Sequence, residues 1–188
     1  MGLFRFNRPP AWPLAMLVLA LALQATLVIH RAINWDEFYH YSQVYALTQG
    51  TLSQPLQTLY TRAFAWVVAL PGSGIDHIIV IRCFMLLCEL ASLAAFIGIA
   101  SRFASREAAW LCALAYAGAG FVFQHATSFR FDGPCAALLM CAAWILLRAP
   151  LRWPAIATIG LLVGTAGVLT VKAALYAPVF AGIAWLRW

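Results

Sequence analysis

Long apolar runs dominate the chain, and short polar segments separate them. Six runs are candidates for membrane-crossing helices, at residues 14–33, 75–100, 108–124, 134–147, 154–171 and 173–186. A transmembrane helix takes about 20 apolar residues, so the last four runs are short for this role. The pattern predicts an all-α integral membrane protein, a single transmembrane module over residues 1–188 with about six spans.

The longest polar segment, residues 34–74, lies between the first two runs. Asn34 followed by Glu37 is the pattern of a capping box, which predicts a helix that begins here, continues to about Thr48 and stops at Gly50. Residues 56–70 form a second amphipathic stretch. We therefore expect this loop to carry amphipathic helices that lie along the membrane surface.

Composition supports the membrane interpretation. Of 188 residues, 64% are hydrophobic and only 10% are charged, and the mean hydropathy is +0.86. A soluble domain needs more charge to cover its surface. The net charge of +6 comes from basic residues scattered in ones and twos, so we expect no nucleic-acid partner. Five cysteines in or beside apolar segments have no zinc-like spacing and are interpreted as core residues.

The basic residues between the runs predict the orientation. If the N-terminus is cytoplasmic, one side receives seven arginines, at positions 5, 8, 102, 106, 148, 152 and 187. Cytoplasmic loops are rich in such residues, so both termini are expected inside and the protein in the inner (cytoplasmic) membrane. A signal peptide is the competing interpretation of the first run, because basic residues precede it and small residues follow near Ala20 and Ala22.

The same topology brings six charged residues from separate loops to the outer side of the membrane. They are Asp36, Glu37, Asp76, Arg130, Asp132 and Lys172. Reactions of a lipid-linked phosphate need a carboxylate to take a proton from an acceptor hydroxyl, and cations to stabilise the departing phosphate. The outer charges supply both types of group.

Each of these residues also has a simpler explanation. Asp36 and Glu37 would be favoured by the dipole of the helix that they begin. Arg130 and Asp132 fit a solvated turn between two spans. Lys172 interrupts an apolar stretch, and a cation at that depth usually faces a polar cavity or a partner.

Other polar residues are accessory candidates. Glu89 lies inside the second run, and Arg82, seven residues earlier, is its candidate partner in a structural pair. His40 and His125 could approach the outer site, although a lone histidine near an interface is usually only hydrogen-bonded. A divalent metal could find oxygen and nitrogen ligands at Asp36, Glu37, Asp132 and His40, but their spacing matches no dedicated site, so no metal ligand is predicted.

The order of several motifs resembles a known family. The motifs are Asp36-Glu37-Phe38-Tyr39-His40, Arg82, Ser101-Arg102-Phe103 with Arg106, Arg130-Phe131-Asp132-Gly133-Pro134, and Thr170-Val171-Lys172. Their order relative to the apolar runs resembles the N-terminal half of GT-C glycosyltransferases. The nearest in style are the family 39 and lipid A aminoarabinose transferase-like enzymes, grouped with the dolichyl-phosphate-mannose protein mannosyltransferases.

The resemblance implies transfer of a sugar from a polyprenyl-phosphate donor to a lipid, glycan or protein acceptor on the outer (periplasmic) face. Asp36 would be the catalytic base or would orient the acceptor, with Glu37 beside it, and Asp132 matches the second acidic position of the family. Arg130 and Lys172 would lie near the donor phosphate. The family's Arg-Pro-Asp is Arg-Phe-Asp here, and its Thr-Lys-Gly is Thr-Val-Lys-Ala.

Family members usually have many more spans. The chain is therefore expected to be the N-terminal part of a longer enzyme, a truncated product, or half of a site that a partner chain completes. A non-catalytic membrane subunit that binds lipid or a partner is the alternative function. A transporter is disfavoured, because the predicted spans contain almost no polar residue apart from Glu89.

Overall fold

The structure, a computed structural model, describes residues 11–53 and 59–187, and the regular structure within these ranges is entirely helical. The α-helices are α1 (Ala11–His30), α2 (Trp35–Thr48), α3 (Tyr60–Ala63), α4 (Gly74–Phe103), α5 (Arg106–Gly118), α6 (Gly120–His125), α7 (Asp132–Arg148), α8 (Trp153–Leu169) and α9 (Ala177–Arg187). Two 3-10 helices, Ala65–Ala69 and Val171–Tyr176, precede α4 and α9. The all-α prediction is confirmed for these residues.

Two helices of the described chain are long and apolar enough to cross a membrane. These are α1, with 20 residues, and α4, with 30. Helix α8 is apolar but has only 17 residues. The predicted runs at residues 14–33, 75–100, 134–147 and 154–171 each coincide with one helix.

The helix caps in the first polar segment form as the sequence predicts. The Asn34 side chain accepts a hydrogen bond from the Glu37 backbone N–H, and the Glu37 carboxylate accepts one from the Asn34 N–H, at 2.9 and 3.1 Å. Helix α2 ends at Thr48, and Gly50 has a φ of +68°, which favours glycine. Ser73 and Asp76 form an equivalent capping box at the start of α4. This assigns Asp76 to helix capping.

Three predicted elements differ from the structure. The run at residues 108–124 is not one helix, because the backbone is extended at Ala119, between Gly118 and Gly120, and separates α5 from α6. The run at residues 173–186 begins as a 3-10 helix and becomes α-helical only at Ala177. The stretch at residues 56–70 contains only α3 and a 3-10 helix, and its residues 56–58 lie outside the described residues.

Helix α4 is the centre of the bundle. It packs most extensively against α7, which packs in turn against α8, while α1 and α5 contact α4 and each other. Close approach of α4 and α7 depends on Gly98, since a Cβ there would overlap Nε1 of Trp144. These contacts fix where the ends of α4 and α7 meet the polar loops.

Arginines join several segments at the end of the bundle opposite the start of α7. Arg148 donates to the Gly98 carbonyl and the Ser101 hydroxyl, at 2.8 and 2.7 Å. Arg187 donates to the carbonyls of Leu146 and Ala149. The last turns of α4, α7 and α9 therefore lie together, as expected if they share one side of a membrane.

Candidate functional site

Arg130 joins the two carboxylates that the sequence analysis selected. Its Nη1 donates to Oδ2 of Asp36, and its Nε donates to Oδ2 of Asp132 at 3.1 Å. Asp36 lies in the first turn of α2 and Asp132 in the first turn of α7, where a helix dipole favours negative charge. The three side chains are 28% to 49% exposed, so the group faces solvent.

A cavity of about 250 Å³ opens beside this group. Arg130, Asp132 and Lys172 line it together, and the Lys172 ammonium lies 5.1 Å from the centre of the Phe131 ring. Lys172 belongs to the 3-10 helix that follows Thr170, whose hydroxyl accepts a hydrogen bond from the Lys172 N–H. The cavity therefore presents two cations and a carboxylate from two distant parts of the chain.

Glu37 is placed differently from its neighbour Asp36. Its side chain is fully buried and pairs with Arg82, with Nε to Oε1 and Nη2 to Oε2 both at 2.7 Å. Oε1 also accepts the backbone N–H of Phe129, at 3.1 Å. Burial alone would raise the pKa of Glu37, but hydrogen bonds from Arg82, Asn34 and Phe129 outweigh it and lower the pKa below its ordinary value.

Arg82 also closes the end of α1. Its guanidinium donates to the carbonyls of Val28, Arg31 and Ala32, at 3.1, 2.8 and 3.2 Å. The last carbonyls of a helix lack partners within the helix, so these bonds satisfy groups that would otherwise be buried and unpaired. The predicted pairing of Arg82 with Glu89 is wrong. Arg82 points to Glu37 instead, because that carboxylate and the carbonyls of α1 use its donors.

The Glu37–Arg82 pair fixes the geometry around Arg130. Glu37 is adjacent to Asp36 in sequence, and the Phe129 N–H that it binds is adjacent to Arg130. The buried Glu37 carboxylate thus fixes the position of the loop before α7 relative to the start of α2. Glu37 and Arg82 position the site, and neither lines the cavity among its described walls.

Arg31 holds the same loop from another direction. It donates to the Gln124 carbonyl and to the Ser128 hydroxyl, the latter at 2.8 Å, and its Nη2 lies 3.4 Å from Nδ1 of His125. His125 lines the cavity, and burial together with the charges of Arg31 and Arg130 lowers its pKa. Arg31 is not among the predicted site residues, because it falls within the first apolar run; a cation at the end of a predicted span is the signal that could have found it.

His40 lies among aromatic rings. The centres of the Tyr60, Phe129 and Phe131 rings are 5.3, 5.9 and 5.8 Å from the centre of its imidazole. Burial lowers the pKa of His40, with smaller effects from the surrounding charges of the site. The neutral imidazole therefore packs as part of the hydrophobic wall behind Arg130.

The structure brings together most of the predicted site. Asp36, Arg130, Asp132, Lys172 and His125 lie at or beside the cavity. Within the described ranges, no group of three or more His, Cys, Asp and Glu residues is arranged to hold a metal ion. Among the other described residues that line the cavity, most are apolar, and those that carry a hydroxyl group are Ser92, Tyr116, Thr170 and Tyr176.

Comparisons with known proteins add no relative, since no family model, curated protein or solved structure matches the chain.

Proposed function

We propose that the chain is a membrane glycosyltransferase, or the N-terminal catalytic module of one, that transfers a sugar from a polyprenyl-phosphate donor to an acceptor on the outer face of the membrane. The observation that carries this proposal is the bridge from Arg130 to Asp36 and Asp132 at a cavity that Lys172 also lines. The arrangement combines proton-accepting and phosphate-binding groups in one solvent-facing position.

The proposed reaction is a displacement at the anomeric carbon of the donor sugar. Asp36 takes the proton of the acceptor hydroxyl, the acceptor oxygen bonds to the anomeric carbon, and the bond from that carbon to the phosphate oxygen breaks. The electron pair leaves with polyprenyl phosphate, whose charge Arg130 and Lys172 stabilise. The contact of Asp36 with Arg130 uses Oδ2, and within the described chain Oδ1 makes no hydrogen bond. This oxygen is the proposed base.

Asp132 has a different role in this proposal. It lies at the N-terminus of α7 and accepts a hydrogen bond from Nε of Arg130. Nη1 of the same guanidinium donates to Asp36. Asp132 therefore orients Arg130 and limits the net positive charge of the site. Its carboxylate also lines the cavity and can accept a hydrogen bond from a sugar or an acceptor.

We further propose a multi-pass arrangement in the inner membrane, with about six spans and both termini cytoplasmic. Helices α1 and α4 have the length and composition of spans. The Asp36 group lies at the start of α2 and α7, whereas Arg148 and Arg187 lie in the last turns of α7 and α9. Opposite ends of α7 thus carry the proposed outer site and a proposed cytoplasmic arginine cluster.

A transfer assay tests this function. Membranes that contain the chain are incubated with a panel of polyprenyl-phospho-sugars labelled in the sugar, and membranes without it are the control. We expect label to move to an acceptor only when the chain is present, and nucleotide sugars to be inactive as direct donors. If no sugar is transferred and the chain instead copurifies stoichiometrically with a larger enzyme, the non-catalytic subunit is the correct function.

A further inference from the structure

Glu89 is a residue in the middle of α4 whose carboxyl group lines the cavity. Glu89 is 6% exposed, and its Oε1 is buried and makes no hydrogen bond within the described parts of the chain. An unsatisfied buried polar group is costly, and an ionisable residue within a span is usually functional. A group that enters the cavity is the available source of its hydrogen bonds.

Hydroxyl-bearing residues from three helices line the same cavity as Glu89, together with apolar residues. Ser92 lies one turn further along α4, Tyr116 comes from α5, and Tyr176 comes from the end of the second 3-10 helix. Tyrosine rings combine an apolar face with a polar hydroxyl. Such a wall suits a ligand that has both apolar C–H faces and several hydroxyls, as a sugar ring does.

The size of the cavity limits the part of a ligand that it can hold. Its volume of about 250 Å³ is below the roughly 300–1,000 Å³ of pockets for drug-sized ligands. The same cavity is lined by Arg130 and Lys172 and by Glu89, so a phosphate at the two cations would direct an attached sugar toward α4.

We propose that Glu89 and the hydroxyl-bearing wall form the subsite for the sugar ring of the lipid-linked donor, with Glu89 as its specificity-determining residue. This inference rests on the proposed function. A carboxyl group accepts a hydrogen bond when ionised and can also donate one when protonated. Glu89 therefore binds a sugar hydroxyl in either state. A site built to bind a hydroxyl discriminates strongly against a ligand that lacks it.

Binding measurements on the purified full chain in detergent test the subsite. Two kinds of probe are compared, each polyprenyl-phospho-sugar of the panel used in the transfer assay and the same polyprenyl phosphate without sugar. Glu89→Leu removes the carboxyl group and is expected to weaken binding of the sugar-bearing lipid about tenfold, as for one lost hydrogen bond of a charged or polar ligand group. Affinity for the sugar-free lipid should stay within about twofold.

Two further variants separate recognition from folding. Glu89→Gln keeps hydrogen-bonding capacity and should retain most of the affinity for the sugar-bearing lipid. Ala136→Leu fills part of the cavity from α7. It should lower the affinity for the sugar-bearing lipid and leave the affinity for the sugar-free lipid unchanged. Gln24→Leu is the matched control. Gln24 is also buried, its side-chain nitrogen and oxygen make no hydrogen bond to the residues that the structure describes, and it does not line the cavity.

The outcomes distinguish the subsite from the proposed function. If Glu89→Leu binds each of the two lipids as tightly as the unchanged chain does, the subsite is overturned, while the transferase proposal stays intact. A loss in Glu89→Leu that is equally large for both lipids also overturns it, since the effect is then not specific to the sugar ring. Absence of transfer and of binding of either lipid by the unchanged chain rejects the proposed function, and the subsite with it.

Discussion

Glu37 and Arg82 form an ion pair that the surrounding protein covers almost completely. Nη2 of Arg82 lies 2.7 Å from Oε2 of Glu37, and the two side chains are 2% and 0% exposed. The pair joins α2 to α4. Glu37 also binds Phe129, in the loop that carries Arg130, and Arg82 binds the end of α1. Adjacent carboxylates thus have different surroundings, with Glu37 buried and Asp36 exposed.

The first prediction concerns this difference. Glu37→Gln leaves the Arg82 guanidinium buried without its counter-charge, which costs about 3–5 kcal/mol. Asp36→Asn disrupts an exposed pair worth about 0–1 kcal/mol. In thermal unfolding of the purified chain in detergent, we expect Glu37→Gln to lower the midpoint by at least about 6 °C, and Asp36→Asn to lower it by less than about 4 °C. Equal midpoints for the two variants would show that Glu37 is not a structural anchor.

The second prediction is the pH dependence of stability. The pKa of Glu37 is lowered in the folded chain, so the unfolded chain binds a proton first as the pH falls. The ionised Glu37 carboxylate therefore contributes its full share to the free energy of unfolding above its ordinary pKa of 4.5. This share is lost as the pH falls through the lower pKa of the folded chain. The charged groups that act on it are Arg82 and Arg31. Midpoints measured below pH 5 should fall more steeply for the unchanged chain than for Glu37→Gln; parallel curves would contradict this assignment.

The third prediction concerns the two-sided contact of Arg130. Lysine keeps the charge but cannot donate to Asp36 and Asp132 from one rigid planar group. Arg130→Lys should therefore reduce sugar transfer by at least about tenfold and change the unfolding midpoint little, because the pairs are partly exposed. Arg62→Lys, an exposed arginine of α3, is the matched control. Full transfer by Arg130→Lys would mean that the bridge has no catalytic importance.

The fourth prediction is the topology. Alkaline phosphatase, a reporter that is active only outside the cytoplasm, is fused after Gly50, Ala104 or Ala149. The fusion after Gly50 should be active, because this turn follows α2 on the proposed outer side. Fusions after Ala104 and Ala149 should be inactive, because these residues follow the last turns of α4 and α7. Activity at all three sites would reject the multi-pass arrangement.

Local sequence signals predicted the beginning and end of α2, because capping by Asn34 and a left-handed Gly50 depend on residues within a few positions. Hydropathy averages over many residues, and this explains why the break within the run at residues 108–124 was not predicted. Gly118 and Gly120 around Ala119 interrupt a hydrophobic run without changing its composition, so the break between α5 and α6 has no hydropathy signal.

The candidate site was predictable in its charges but not in its contacts. The order of the apolar runs predicts Asp36, Asp132 and Lys172 on one side, since each residue adjoins the end of a predicted span. It does not show that Glu37 turns inward toward a residue 45 positions away, because that choice depends on tertiary packing. For the same reason, spacing along α4 suggested Glu89 for Arg82, although the end of α1 and Glu37 lie closer to its donors.

Transfer by Asp36→Asn tests the central claim most directly. The substitution keeps the size of the side chain but removes the proposed base, and general-base catalysis contributes about 10²–10⁴-fold. Glu107→Gln, an exposed first-turn acid of α5 outside the site, is the control. In membranes with equal amounts of inserted protein, we expect Asp36→Asn to lose at least about a hundredfold in transfer rate and Glu107→Gln to lose none. Transfer by Asp36→Asn at the rate of the unchanged chain would contradict the assignment of this carboxylate as the base.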